Sequence, residues 1–162
     1  EAYQKKELRA IGVCNFYPER LADLCLNAKI APMVDQVELH PFFAQNGALE
    51  TMKEFSVAPE AWGPMAEGKH GIFTHPVLTA IGQKYGKTAA QVALRWNTQR
   101  GVIVIPKSTH QERMVENLNI WDFSLSDDDM SAIAALDLGH SEIIGHSLAE
   151  TAKFLNGWKI HE

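Results

Sequence analysis

Several things are scarce in this chain, and each scarcity narrows the reading. No apolar run approaches the roughly 20 residues of a membrane helix, and no basic-then-apolar leader opens the chain. Positive charge is in deficit: the formal net charge is -5 and the pI near 5.8, so there is no general attraction to nucleic acid or anionic lipid. A local cluster of Lys and Arg could still hold one small anion. There are only two cysteines, Cys14 at a strand end and Cys25 in a helical pattern, which read as reduced core residues and not as a disulfide framework. No HxxxH or Cys/His spacing suggests a metal site. There is no initiator Met, and a strand begins within a few residues, so part of a longer protein is expected. These absences point to a cytoplasmic protein whose partner is a small molecule or another protein.

What is present is an alternation. With 162 residues, 46% of them hydrophobic, the chain is sized for one domain with a real core. "RAIGVC", "MVDQVEL", "VAPEAW" and "VIVIP" read as strands, with Pro59 limiting how central the first half of the third can be. Between them "FYPERLADLCLNAKI", "AQNGALETMKEF" and the pair "HPVLTAIGQKYG" and "TAAQVALRWNTQR" read as helices, the pair broken at Gly86 with Thr88 as N-cap. Beyond the last strand lie two more helical patterns, "QERMVENLNI" and "SDDDMSAIAALD", the second capped by Ser126 with three Asp residues suited to the helix dipole. "GPMAEGKHGIF" is too polar and irregular for an element, and 138–162 reads as a surface tail. Strands and helices alternating at this spacing imply βαβ units and a parallel sheet.

In such folds, function lies beyond the carboxyl ends of the strands. There the chain has Cys14 and Asn15, His40 and Pro41, Trp62 to Gly68, and Lys107 with Ser108. An ammonium, a hydroxyl and the free amides of a helix starting near His110 can surround one phosphate, and Arg113 joins them one turn later. Arg113, Glu116 and Asn117 share a helix face and could grip a polar ring attached to that phosphate. The competing reading is a solvated helix with an ordinary Arg/Glu pair. Asn15 and Gln36 could match a carboxamide ligand in full, or be structural amides. Trp62 could stack on a flat heterocycle or be a rim aromatic, and Gly63, Pro64 and Gly68 allow a backbone to approach a ligand. His40 has no Asp or Ser partner nearby in sequence, which favours a structural role over that of a general base. The other histidines, at 70, 75, 110, 140, 146 and 161, read as surface positions.

The motifs "RAIGVCNF", "VDQVELHPF", "EAWGPMAEG", "QVALRW" and "VIPKSTHQERMVENL" resemble, in order through nearly the whole chain, the aldo-keto reductases. The bacterial branch similar to diketogluconate reductases fits best. The resemblance implies an α/β (β/α)8 TIM barrel of which residues 1–162 supply roughly the last four strand–helix units, with 138–162 as C-terminal tail. It further implies an NADPH site: Cys14 (usually Ser in the family), Asn15 and Gln36 at the nicotinamide carboxamide, Trp62 stacked on its ring, and Gly63, Met65 and Ala66 along the pyrophosphate. Lys107, Ser108, Thr109 and Arg113 correspond to the clamp on the adenosine 2′-phosphate, and Glu116 and Asn117 to the adenine contacts. The family's catalytic Tyr, Lys, Asp and His come from the first half of the barrel, and no residue here corresponds to them. The expected activity is NADPH-dependent reduction of a small aldehyde or ketone by the complete barrel, with the missing N-terminal half as partner. A half-barrel that binds nucleotide, or only self-associates, is the alternative. A phosphate-binding aldolase barrel would need a Schiff-base Lys on an inner strand face, which Lys107 at a strand end does not supply.

Overall fold

The structure, a computed structural model, describes residues 1–145 and 148–158. Four parallel strands form one sheet in chain order: β1 (Gly12–Cys14), β2 (Val34–Glu38), β3 (Ala58–Trp62) and β4 (Ile103–Val104). Parallel neighbours need crossover connections, and here helices supply them: α1 (Pro18–Asn27), α2 (Asn46–Glu54), and the pair α3 (Pro76–Tyr85) and α4 (Ala89–Gln99). After β4 come α5 (Gln111–Leu118) and α6 (Asp127–Ala134).

The sheet is narrowest at its edges. β1 and β4 are shorter than their apolar runs suggest, because each has a strand neighbour on one side only. Gly12 lets β1 lie close to β2: a Cβ there would meet the Val34 carbonyl oxygen at 2.6 Å. Pro59 sits inside β3, yet β4 pairs with β3 only at Glu60 and Ala61, so a missing N–H at Pro59 disturbs little.

The core lies between sheet and helices, with Val37 and Ala61 from the strands and Leu39 just beyond β2 clustered with Leu21, Met52, Leu78, Val92, Trp96 and Ile133. α4 is the most enclosed helix, and its start is locally encoded. The Thr88 hydroxyl accepts from the Gln91 amide while the Gln91 side chain accepts from the Thr88 amide, a capping box. α6 is held to α3 by one buried carboxylate. Asp129 accepts from Lys84 at 2.5 Å, from the Tyr85 hydroxyl at 2.6 Å and from the Ser126 hydroxyl at 2.9 Å.

Four expectations need correcting. "GPMAEGKHGIF" is not featureless: Ala66–Gly71 folds into tight 3-10 turns, with Glu67, Gly68 and His70 at positive φ and Ala66 and Ile72 fully buried. The segment after Leu138 contains a helix, α7 (Ala149–Asn156), whose Thr151 hydroxyl donates to the Gly145 carbonyl at 2.7 Å. Both cysteines are free, but Cys14 is exposed, because it ends an edge strand. His70 and His75 are half-buried against Phe42, with ring centroids 4.7 and 5.4 Å from it, whereas His110 and His140 are exposed. His146 and His161 lie outside the described residues.

Candidate functional site

Because all four strands are parallel, their carboxyl ends share one rim, and a polar network ties three of them together. Asn15, at φ 57°, donates its amide to the Gln36 carbonyl at 2.8 Å, and its Oδ1 accepts from the Trp62 indole at 2.8 Å. Gln36 Nε2 donates to Glu60 at 2.5 Å, and its Oε1 lies 3.7 Å from Cys14 Sγ. Desolvation of the sulfur, and behind it the Asp35 and Glu60 carboxylates, push the Cys14 thiol above its ordinary range. It stays protonated, and a thiol is a weak donor.

Deeper in the same rim, Glu38 and His40 point the same way from β2 and its continuation. Both are buried, and His40 Nε2 lies 3.0 Å from Glu38 Oε1. The Ser141 hydroxyl donates to Glu38 Oε2 at 2.5 Å and accepts from the Ile143 and Ile144 amides. His40 therefore does have a carboxylate partner. The period of a strand puts residues two apart on one face, and that signal was present in "ELH".

A second feature, an open cavity, lies beyond β4. A cavity of about 500 Å³ is lined by Lys107, Ser108, Thr109, Arg113, Glu116 and Asn117, all from the turn after β4 and from α5. α4 contributes Thr88 and Ala90, and the turns after β3 contribute Met65 and Phe73. The ordinary Arg/Glu pair is not what forms: the Glu116 carboxylate accepts from the Thr88 hydroxyl at 2.5 Å. Among the described residues, neither Lys107 nor Arg113 has a hydrogen-bonding or ion-pair partner. Two cations without partners and two hydroxyls thus line one cavity at the start of a helix, a donor set of the chemistry that suits an anion.

Seven of the thirteen residues expected at a cofactor thus line this cavity: Met65, Lys107, Ser108, Thr109, Arg113, Glu116 and Asn117. Cys14, Asn15, Gln36 and Trp62 form the separate rim network. Gly63 and Ala66 belong to neither; they follow β3, Ala66 fully buried with its amide donating to the Gly63 carbonyl at 2.8 Å. Phe73, Thr88, Ala90 and His110 were not expected. The first three come from other elements and are brought in only by packing, whereas His110 sits inside the motif itself. Among the described residues no group of three or more His, Cys, Asp or Glu converges as a metal site would require, and no helix is long and apolar enough to cross a membrane.

A four-stranded parallel sheet with helical crossovers is an α/β architecture consistent with part of a TIM barrel. The sequence profile of the aldo/keto reductase family matches residues 1–138, and the chain belongs to that family. It is 46% identical over 136 residues to the 9,11-endoperoxide prostaglandin H2 reductase of Trypanosoma cruzi, covering 83% of this chain and 48% of that one. Among solved structures, an aldo-keto reductase from a Medee basin deep-sea metagenome library superposes with a TM-score of 0.84 at 34% identity, over 90% of this chain and 54% of the other. An aldo-keto reductase complexed with NADPH matches with a TM-score of 0.79 at 34% identity, over 86% of this chain and 46% of that one. The chain spans about half the length of the curated relatives it matches.

Proposed function

We propose that this chain is the cofactor-holding C-terminal half of an NADPH-dependent aldo-keto reductase, whose complete barrel reduces a small aldehyde or ketone to the alcohol. The observation that carries the reading is the pair of partnerless cations, Lys107 and Arg113, on a cavity that also presents Ser108 and Thr109. NADP differs from NAD by one phosphate, and these are the groups that would hold it. Glu116, fixed by Thr88, and Asn117 would take the adenine edge, and Met65 with the backbone at Gly63 and Ala66 would follow the pyrophosphate. Trp62 would pack on the nicotinamide, oriented by Asn15; Gln36 and Cys14 would meet the carboxamide. When bound, the cofactor supplies the hydride.

In this reading the proton donor and its tuning residues belong to the first half of the barrel. The flanks of the chain support such a partner. At one end of the array Leu8 and Leu26 are exposed, Leu26 by 73%; at the other, Ile103, Ile105, Met114, Val115 and Leu118 are exposed, Leu118 by 72%. Both ends also carry an unpaired strand edge. Another strand–helix layer would cover each of them. The reading is tested by titrating the chain with NADPH and NADH at constant salt. Preference for NADPH supports it, and equal affinity counts against it.

A further inference from the structure

We infer that Ser141 and Glu142 are positioning residues for the cavity beyond β4: they strap the chain after α6 to the end of β2 and to the turns after β3, and so hold a part of the cavity wall that neither residue lines. The inference takes its ligand from the cofactor reading above; the strap itself stands on contacts that reading does not use.

The turns after β3 need outside support. Ala66, Glu67 and His70 have φ of 48°, 50° and 55°, a region that L side chains rarely adopt and that persists where the surroundings fix it. Ala66 and Ile72 are fully buried and tie the turns to the core. Met65 and Phe73, on either side of the turns, line the cavity together with Lys107 and Arg113. Whatever fixes the turns therefore fixes part of the wall.

The chain after α6 supplies that support. Lys69 Nζ donates to the Glu142 carbonyl at 3.2 Å, and His70 Nε2 lies 3.1 Å from Glu142 Oε2. The other neighbour of the His70 ring is Phe42, with centroids 4.7 Å apart. Glu142 is placed in turn by Ser141. The Ser141 oxygen accepts from the Ile143 amide at 3.1 Å and the Ile144 amide at 3.0 Å, which commits both its acceptor sites, and its one hydrogen goes to Glu38 Oε2 at 2.5 Å. Glu38 is fully buried at the end of β2, in register with Trp62 of β3 and backed by His40. Upstream, the Ala44 amide donates to Asp137 Oδ1 at 3.1 Å and the Leu138 amide to the Phe42 carbonyl at 3.0 Å. The segment is thus fastened to the chain at and after β2 through Asp137, Leu138 and Ser141, and to the turns after β3 through Glu142. A wall held before the ligand arrives need not be ordered by it, which favours binding.

The test compares the parent chain with Ser141→Ala and Glu142→Ala by amide hydrogen exchange and by calorimetric titration with adenosine 2′,5′-bisphosphate. Exchange within residues 63–75 should quicken about fivefold in both variants while that of α4, the most enclosed helix, stays unchanged. The bisphosphate should bind about threefold more weakly to both. The Glu142 side chain is 47% exposed, so its variant keeps the test decisive if Ser141→Ala does not fold. Exchange that quickens equally in α4 and in 63–75, with affinity unchanged, would mark a merely structural role and overturn the inference. So would a change in exchange or in affinity without the other, and none of these results touches the cofactor reading. A parent that does not bind the bisphosphate overturns that reading and the positioning role with it.

Discussion

Replacing Arg113 by Ala removes one of the two cations that face the cavity beyond β4, and its consequence can be worked from the structure. A charge-assisted hydrogen bond contributes about 1.5 to 3 kcal/mol. Arg113 is exposed, so solvent screening places it at the low end, about 1.5 kcal/mol. Nothing else compensates, because among the described residues Arg113 has no partner that its loss would free. NADPH should therefore bind about tenfold more weakly, while NADH, with no 2′-phosphate, should lose less than about twofold. Lys107→Ala should act in the same direction. The double variant should lose less than the product of the two, since both cations would serve one phosphate and neighbouring groups are not additive. Isothermal titration of parent and variants with both cofactors is the assay. Equal weakening of NADPH and NADH would refute the phosphate assignment.

Trp62→Phe should remove most of the fluorescence quench seen when NADPH binds, with Trp96, Trp121 and Trp158 as background; undiminished quenching would take Trp62 out of the cofactor site. Ser126→Ala should lower stability by about 1 kcal/mol through loss of the α6 cap, read as a shift in urea midpoint. Burial would raise the Asp129 pKa, but hydrogen bonds from Lys84, Tyr85 and Ser126 outweigh it and hold the group down at about 2. Its contribution is therefore complete above the ordinary carboxylate range and lost as the pH falls through about 2; Asp129→Asn should be less stable than the parent near neutrality and lose that deficit in acid. Asp35 runs the other way. Burial raises it to about 6 against a single opposing bond from the Phe16 amide, and its Oδ2 is buried without a partner. Its contribution is complete below the ordinary carboxylate range and lost as the pH rises through about 6, so Asp35→Asn should flatten the parent's loss of stability in that interval.

The parts of the fold that were legible in the sequence are those encoded within a few residues. Thr88 and Ser126 are caps where hydroxyl, spacing and helical pattern coincide, and both cap as expected. The four strands were visible as apolar runs, but their lengths were not, because strand length depends on how many neighbours pair. The turns after β3 were missed because three non-glycine residues there, Ala66, Glu67 and His70, adopt positive φ, which local propensity does not announce. Strand-end logic found the cations and hydroxyls of the cavity, since they lie in one contiguous motif. Phe73, Thr88 and Ala90 arrive from distant elements, and the Glu38–Ser141 bond spans 103 residues; both required the tertiary structure.

The central claim is that the chain holds the cofactor while the rest of the barrel supplies the acid. The most direct measurement is NADPH oxidation with a simple aldehyde by this chain at verified mass, alone and after mixing with a polypeptide supplying the first four strand–helix units. The account predicts no turnover alone at any NADPH concentration and turnover on mixing. A chain that reduces the aldehyde by itself, as a stable monomer in sedimentation, would contradict it.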